Sequence, residues 1–355
     1  MLIVRAPVRI SFAGGGTDLE SYYRPFGGLV VSAAIDKYFY VFVTVNKGES
    51  IQIMSSDFRT FYRQDADQEM LWDGDLALPR AILNYFNVHE GLSMFLASQV
   101  PPGTGLGSSS TVAVAVIKAL TSLQGLALSK QEIAELACSI EIEKLGMPIG
   151  KQDQYAAAFG GINGIAFEHD GVSVHPLRLS PDVLERLERN VLLFYTGVAR
   201  DAAKVLTEQN QATLNRSAGV IESLHAIKGM AMEVGQCFER GDLRKLGELL
   251  HTSWEYKKKL SAGITNAWID ECYETARCHG AIGGKITGAG GGGFLMLYCE
   301  ERGAPAVTEA LGRLGLKRMD FSVDFDGAKI LVNNGIPFQM LGQGRRAGEV
   351  AVVNG

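Results

Sequence analysis

The chain has 355 residues, a length that fits one large domain or two ordinary ones, and we predict two. Hydrophobic residues make up 46% of the chain and charged residues 21%, which excludes the disordered and fibrous classes. With 34 basic and 39 acidic residues the formal net charge is −5, so no nucleic-acid partner is expected, since such a partner needs a basic face.

The N-terminus and the cysteines indicate a reducing compartment. The apolar start Leu2-Ile3-Val4 is interrupted at Arg5, so it lacks the apolar stretch of ~7–15 residues of a signal peptide. The best candidate for a membrane span, Val112 to Ile117, falls short of the ~18 residues required. Five cysteines, an odd number without a CxxC pair, favour reduced thiols over disulfides or zinc. We therefore predict a cytoplasmic protein with no membrane partner.

The first half of the chain predicts strands followed by helices. Serines 108–110 are typical N-cap residues and predict a helix that runs to Leu123. Ser129 followed by Glu132 forms a capping box and predicts a second helix, which ends near Leu145. Strands are predicted over Val8 to Phe12, Val30-Val31, Tyr38 to Val45 and the two arms of a hairpin between Ile165 and His175.

A domain boundary is predicted near residue 180, which gives an N-terminal domain over 1–180 and a C-terminal domain over 181–355. The second domain alternates helices and strands, the pattern of an α+β fold. Its elements are predicted as a helix after Ser180-Pro181, a strand over Val191 to Tyr195, a helix over Asn266 to His279, a strand over Phe294 to Cys299, a helix over Ala304 to Leu314 and a hairpin over Phe321 to Val332.

Glycine is the unusual component of the composition, with 42 residues in 355, well above the average share of roughly 7%. One cluster, Pro101-Pro102-Gly103-Thr104-Gly105-Leu106-Gly107-Ser108-Ser109-Ser110, stands directly before a predicted helix. Glycines let the backbone close around an anion, and the helix N-terminus adds unpaired N–H groups and a positive dipole end. The cluster therefore predicts a phosphate cradle whose serine hydroxyls could also hold Mg²⁺, with an ordinary capped turn as the alternative. It is not a Walker A loop, because no lysine stands beside the serines.

Two further glycine clusters lie next to predicted strands. Gly288 to Gly293 matches GxGxxG but precedes a strand at Phe294, whereas a dinucleotide fingerprint opens a helix, so we reject a Rossmann fold. Ala13 to Asp18 follows the first strand, and the Asp18 carboxylate can accept hydrogen bonds from sugar hydroxyls. A structural loop or a hairpin turn is the alternative at both places.

In this order the three clusters resemble the motifs of the GHMP small-molecule kinase superfamily, which includes galactokinase, homoserine kinase and mevalonate kinase. The match extends from Arg5-Ala6-Pro7 to Gly293 and is most specific at the cradle and at Lys285-Ile286-Thr287 with the glycines after it. It implies a ribosomal-protein-S5-domain-2-like N-terminal domain with a left-handed βαβ unit, a ferredoxin-like C-terminal domain, and ATP between them. The implied ATP contacts are Pro102, Gly103, Gly105, Leu106, Gly107, Ser108, Ser109 and Ser110.

Within the superfamily, Arg9 to Asp18 and Gly150 to Gly161 are most similar to bacterial D-glycero-D-manno-heptose 7-phosphate kinases, and fucokinases are similar there too. Galactokinases carry Glu-His where this chain has Gly15-Gly16. The resemblance implies ATP-dependent phosphorylation of the anomeric C1 hydroxyl of that heptose phosphate to the 1,7-bisphosphate. An L-fucokinase or another sugar-1-kinase is the alternative, and a decarboxylase of the same fold or a catalytically silent sugar sensor is more remote.

The resemblance also implies roles for single residues. Asp153 matches the carboxylate that orients or deprotonates the acceptor hydroxyl, although it could instead cap the short helix after it, and Arg9 matches the cation near the transferred phosphoryl group. Glu141 and Ser109 match the Mg²⁺ ligands, and Glu143 is expected in solvent. The predicted sugar-binding residues are Gly15, Gly16, Thr17, Asp18, Arg200, Gly290 and Gly291.

Arg200 enters this set because it stands just before a predicted helix that carries Lys204 one turn later. Its planar fork of donors matches phosphate oxygens, and Lys204 adds a point charge on the same face. Two solvated surface charges are the alternative. The predicted partners are therefore ATP and a sugar phosphate, and a homodimer is a possible assembly.

Overall fold

A computed structural model of the chain describes residues 1–46, 50–57, 59–65, 74–88, 91–198 and 202–334, which form an eight-stranded and a four-stranded sheet with helices packed on them. The strands are β1 (Leu2–Ala13), β2 (Gly28–Val45), β3 (Ser50–Ser55), β4 (Thr60–Asp65), β5 (Leu92–Ser98), β6 (Ile162–Phe167), β7 (Val172–Pro176), β8 (Val191–Tyr195), β9 (Ala281–Ile286), β10 (Phe294–Cys299), β11 (Lys317–Met319) and β12 (Lys329–Asn333). The helices are α1 (Glu20–Phe26), α2 (Ala77–Tyr85), α3 (Ser108–Leu123), α4 (Lys130–Cys138), α5 (Gln152–Phe159), α6 (Pro181–Asn190), α7 (Ala202–Leu214), α8 (Ala218–Arg240), α9 (Leu243–Lys257), α10 (Ala267–Cys278) and α11 (Ala304–Arg313).

The larger sheet has the order β12-β1-β2-β5-β3-β4, and β6 and β7 branch from β2. β3 and β5 pair in parallel, with β4 and α2 between them in the chain, which is the pairing of the expected βαβ unit. α3 packs on β1 and β2 and is buried on almost every side, from Ser110 to Leu123, because its residues are small and apolar throughout. This burial fixes the N-terminal end of α3, where the predicted phosphate cradle ends.

The smaller sheet is antiparallel throughout, with the order β11-β8-β10-β9. Counted along the chain this is the order 4-1-3-2, which confirms the ferredoxin-like prediction for the second half. α9 lies directly on β9, since Gly283 offers no Cβ and the carbonyl oxygen of Gly247 occupies that space. The described residues contain no helix long and apolar enough to cross a membrane.

Most helices begin and end close to the predicted residues, and two of the predictions were wrong in detail. The N-cap of α3 is Gly107 in the left-handed conformation, so the serines lie inside the first turn rather than capping it. The helix predicted to reach Leu145 keeps α geometry only to Cys138, because residues Ser139–Lys144 widen into a π-helical turn. Such turns are frequent at functional sites, and this one carries Glu141.

The hairpin predicted over Phe321 to Val332 was also wrong. β12 pairs antiparallel with β1 in the larger sheet, so the chain returns to its first strand instead of folding back on itself. Asp324 stabilises the return, because its Oδ1 accepts the backbone N–H groups of Asp326 and Gly327. The pairing covers the open edge of β1, which would otherwise leave backbone groups unpaired.

Candidate active site

The phosphate cradle is the loop that joins β5 to α3. Gly103, Gly105 and Gly107 have φ angles of 72°, 76° and 77°, which side-chain-bearing residues rarely adopt. The carbonyl oxygen of Leu106 accepts the backbone N–H of Arg9 at 3.0 Å, so the loop is anchored on β1, and the Leu106 side chain is fully buried. The first turn of α3 then presents N–H groups that have no partner within the helix, as an anion requires.

The loop between β9 and β10 locks this cradle in place. A Cβ on Gly105 would lie 2.5 Å from the carbonyl oxygen of Thr287, and a Cβ on Gly288 would lie 2.6 Å from the Cα of Gly105. Because both positions lack a Cβ, the two backbones touch directly. The C-terminal half of the chain therefore shapes the phosphate cradle of the N-terminal half.

Gly290 and Gly291, predicted to contact the sugar, take part in this packing. The N–H of Gly291 donates to the carbonyl oxygen of Ile264 at 2.7 Å and is buried. A Cβ on Gly290 would lie 2.8 Å from the same oxygen. The N–H that Gly291 would offer to a sugar is thus already bonded within the protein, whereas a sugar contact of Gly290 stays a prediction.

Arg9 and Asp153 form a buried ion pair against the cradle. Nε and NH2 of Arg9 lie 2.7 and 2.6 Å from Oδ1 of Asp153, and NH1 donates to the carbonyl oxygen of Gly105 at 2.6 Å. Arg9 is 4% exposed, whereas the Asp153 side chain is 21% exposed. A Cβ on Gly107 would lie 2.9 Å from Oδ2 of Asp153, so the second carboxylate oxygen faces the start of α3. The N-cap of α5 is Lys151, which leaves Asp153 without the capping role.

Asp18 lies in the loop after β1, close to the same pair. Its Oδ1 accepts the N–H of Gly16 at 2.9 Å, and its Oδ2 accepts Nε2 of Gln152 at 3.0 Å. Gly150 packs directly against the carboxylate, where a side chain would overlap it. Burial raises the pKa of Asp18, and the negative charge of Asp153 raises it further. The two carboxylates are therefore near enough to interact.

Thr17 in this loop does not face a ligand. Its hydroxyl bonds to the carbonyl oxygen of Gly14 at 2.8 Å and to the backbone of Leu29, and the residue is fully buried. The sugar contact predicted for Thr17 is thus corrected to a role in holding the loop against β2. Gly15 and Gly16 keep part of their surface exposed, and Arg200 lies outside the described residues.

Glu141 is fully buried in the π-helical turn and collects three side-chain donors. It accepts Nε2 of Gln154 at 2.7 Å, Oγ of Ser110 at 3.2 Å and Oγ of Ser109 at 3.4 Å. Burial raises its pKa to about 7, against the pull of these hydrogen bonds. Glu143 is exposed and bonds only the neighbouring Ser139, which agrees with the expectation that it lies in solvent.

The donor set at Glu141 fits a magnesium ion. A carboxylate and the partly accessible Ser109 hydroxyl are hard oxygen ligands, and they lie side by side at the cradle. No group of three acidic, histidine or cysteine side chains suited to a metal occurs in the described part of the chain. An ion here would accordingly depend on phosphate oxygens for its other ligands, as Mg²⁺ commonly does.

Sequence reasoning gave no role to two buried lysines beside this site. Lys257, at the end of α9, donates to the carbonyl oxygen of Gly288, and burial together with the charge of Arg9 lowers its pKa to about 8. Lys285, in β9, is 3% exposed. Burial holds its pKa well below the usual value for lysine, and the positive charges of Lys257 and Arg9 add to this effect. Lys285 opens the third glycine motif, which was a usable signal, whereas nothing in the sequence marked Lys257.

The chain matches two family models, GHMP kinases N terminal domain over residues 77–161 and GHMP kinases C terminal over residues 236–316. It is 34% identical to the D-glycero-alpha-D-manno-heptose 7-phosphate kinase of Campylobacter jejuni, over 92% of this chain and 97% of that protein. The chain belongs to the GHMP kinase family. It is accordingly a small-molecule kinase with the two-domain fold of that family.

Two further relatives place this GHMP kinase among sugar kinases. The crystal structure of a D-glycero-D-manno-heptose 1-phosphate kinase from Bacteroides thetaiotaomicron has a TM-score of 0.79 and 29% identity, and covers 94% of this chain and 100% of that one. The L-fucokinase/L-fucose-1-P guanylyltransferase of Bacteroides fragilis is 29% identical to this chain. The match covers 84% of this chain and 34% of that longer protein.

Proposed function

We propose that this GHMP kinase transfers the γ-phosphoryl group of ATP to the anomeric C1 hydroxyl of D-glycero-D-manno-heptose 7-phosphate, which gives the 1,7-bisphosphate. The observation that carries the proposal is the Arg9–Asp153 ion pair, which bonds the phosphate cradle at Gly105 and lies near Asp18. A phosphate donor held at the cradle and a sugar held at Asp18 would meet at this pair. Phosphoryl transfer depends mainly on such positioning and on neutralisation of charge.

Asp153 has the geometry to hold the acceptor hydroxyl. Arg9 bonds its Oδ1, so Oδ2, which faces Gly107, is the oxygen offered to the hydroxyl hydrogen. The hydroxyl donates to Oδ2, and its proton passes to that oxygen as the new oxygen–phosphorus bond forms. The Arg9 guanidinium beside this carboxylate would stabilise negative charge on the moving phosphoryl group. A loose transition state tolerates late proton transfer, which favours orientation over strong basicity.

Glu141 and Ser109 would hold Mg²⁺ at the start of α3. The ion would supply charge neutralisation on the phosphate oxygens. Gln154 orients the Glu141 carboxylate through a 2.7 Å hydrogen bond, and Ser110 bonds the same carboxylate from the first turn of α3. These buried partners keep Glu141 aimed at the cradle.

The proposed sugar rests on the Campylobacter relative and on the sequence around Asp18 and Asp153. The two heptose kinases named above agree on the sugar and differ in the phosphate position in their names. Arg200 is proposed to bind the distal phosphate, with Lys204 exposed on the adjoining helix α7. A cytoplasmic location and a homodimer are part of the proposal.

The test compares kcat/KM for three sugars, which are heptose 7-phosphate, unphosphorylated heptose and L-fucose. The rate is measured as the release of ADP. We expect a strong preference for the phosphorylated heptose and a loss of about 10- to 100-fold in Arg200→Ala, confined to that substrate, as for a charged hydrogen bond. The exposed Arg302 provides the control variant Arg302→Ala. Efficient use of L-fucose without an effect of Arg200→Ala would instead identify a fucokinase, and no ADP release with any sugar would identify a sensor.

A further inference from the structure

Gln209 is a buried amide that lies against residues 14–18, the segment after β1 predicted to contact the sugar and called the sugar loop below. It lies in α7 and is 3% exposed, and its Nε2 has no hydrogen-bond partner among the residues that the structure describes. A Cβ on Gly16 would overlap this Nε2, so the amide lies directly against the backbone of Gly16. Gly16 also has a φ of 97°, so both its conformation and its neighbour require glycine.

A second unpaired amide atom belongs to Gln152, which bonds Asp18. Gln152 donates from Nε2 to Oδ2 of Asp18, while its Oε1 is buried and has no partner within the described part of the chain. The N–H of Gly16, beneath Gln209, bonds Oδ1 of the same carboxylate. The unused acceptor thus belongs to a side chain that bonds Asp18, and the unused donor lies against the glycine whose N–H bonds the same carboxylate.

These unpaired atoms carry an energetic cost that a ligand can offset. A buried polar group without a partner destabilises the fold, and such groups are rare in native structures. A sugar hydroxyl both donates and accepts, so it needs one acceptor and one donor nearby. Gln152 Oε1 is an unpartnered acceptor and Gln209 Nε2 an unpartnered donor among the described residues.

We propose that Gln209 determines sugar specificity by donating from Nε2 to a ring hydroxyl adjacent to the hydroxyl bonded by Asp18. The inference rests on the proposed function in that the acceptor is a sugar bound at Asp18. It assigns to α7, which belongs to the second half of the chain, a direct contact with the acceptor. A site built to bond a hydroxyl discriminates strongly against an analogue that lacks it, because its own polar groups are then left unpaired.

The test combines Gln209→Met, which keeps the length of the side chain and removes its polar atoms, with monodeoxy analogues of the sugar. The control is Gln211→Met, on the same helix, where the native side chain is exposed and bonds only Asn215. With wild type and with Gln211→Met, we expect kcat/KM for one deoxy analogue to be about tenfold lower than for the parent sugar, because that analogue lacks the hydroxyl that Gln209 bonds. With Gln209→Met, kcat/KM for the parent sugar should fall by a similar factor. The same variant should use that analogue as well as it uses the parent sugar, and its KM for ATP should stay unchanged.

An equal loss for Gln209→Met with the parent sugar and with every analogue would show that the residue is structural and overturn the proposal, as would no loss at all. If Gln209→Met melts early, Gln209→Asn, which keeps the amide one carbon shorter, replaces it in the same cycle. The analogues are built on whichever sugar the wild type phosphorylates best. If that sugar is not heptose 7-phosphate, the proposed substrate is wrong while the cycle still decides the role of Gln209; if no sugar is phosphorylated, both fail.

Discussion

Asp153 is the residue on which the proposed chemistry depends most directly. Asp153→Asn keeps the shape of the side chain but removes the charge that pairs with Arg9 and the oxygen that would receive the hydroxyl proton. We expect kcat to fall by about 10²-fold or more, the usual effect of losing a positioned acid–base group, with little change in KM for ATP. Steady-state kinetics at saturating ATP measures this.

The matched control for that variant is Asp182→Asn. Asp182 occupies the second position of α6, as Asp153 does in α5, but its side chain is 79% exposed. It should keep full activity. Near-normal turnover of a folded Asp153→Asn enzyme would show that Arg9 and the metal suffice without the carboxylate.

Glu141 and Glu143 offer a comparison between two carboxylates on one turn. Glu141→Gln replaces a hard anionic ligand by a neutral amide, so the Mg²⁺ concentration for half-maximal rate should rise several-fold. Glu143→Gln should leave it unchanged, because that side chain is in solvent. Calorimetric titration of Mg²⁺ into the enzyme with ADP gives the same comparison without catalysis. The reverse order of effects would place the metal at Glu143.

Lys257 should make stability depend on alkaline pH. Its pKa is about 8 in the fold against an ordinary 10.5, so below pH 8 both states carry the proton and the folded state bears the cost of a buried charge. Between pH 8 and 10.5 the unfolded chain binds more protons, so this group makes stability rise with pH, by at most about 1.4 kcal/mol per pH unit.

Lys257→Met removes this dependence. The free energy of unfolding of the variant minus that of wild type should therefore fall between pH 7.5 and pH 9.5, as measured by urea unfolding. Lys245→Met, an exposed position on the same helix, should show a difference that does not change with pH. The same constancy for Lys257→Met would contradict a lowered pKa.

At the level of single residues, the motifs identified some of the side chains that gather at the cradle and misassigned others, such as Thr17. Arg9, Asp18, Glu141 and Asp153 were all predicted as site residues, and the structure brings them around one cradle. Gln209 was not predicted, because its importance arises from a tertiary contact between α7 and the sugar loop that no local pattern encodes.

Among the loops and helices, the contact between the two glycine loops decides the shape of the phosphate cradle. Gly105→Ala places a Cβ 2.5 Å from the carbonyl oxygen of Thr287 at a φ of 76°, so the loops must separate. We expect a raised KM for ATP and a loss of about 1–3 kcal/mol of stability, the cost of a strained backbone position. Gly171→Ala, in a turn with open space around it, is the control for both measurements. Unchanged KM and melting temperature in Gly105→Ala would mean that the loops do not constrain each other.

Elements with a strong local signal were predicted well, and those set by tertiary contacts were not. The capping box at Ser129 and the N-cap at Ser180 correctly began α4 and α6, because each cap is a local hydrogen bond. The π-helical turn was missed because it inserts Glu141 into a site formed by other segments. β12 was misassigned because its partner, β1, lies at the other end of the chain.

In the whole molecule, the candidate site lies next to a hydrophobic core that both halves of the chain build. Val8, Ile10 and Phe12 of β1 belong to the same buried cluster as the strands of the smaller sheet. The ring of Phe12 packs edge-on against Phe238 of α8, with centroids 5.1 Å apart. Because β1 carries Arg9 and leads into the loop of Asp18, this core positions the Arg9–Asp153 pair and that loop relative to the C-terminal half.

We propose that the kinase attaches the new phosphate to the anomeric carbon of a heptose that already carries a phosphate at C7. The most direct measurement is phosphorus–proton correlation NMR of the product formed from heptose 7-phosphate and ATP. We expect two phosphate signals, one coupled to the anomeric proton and one to the protons at C7, with ADP formed in equal amount. A new phosphate coupled to any other ring proton, or an unchanged sugar, would contradict it.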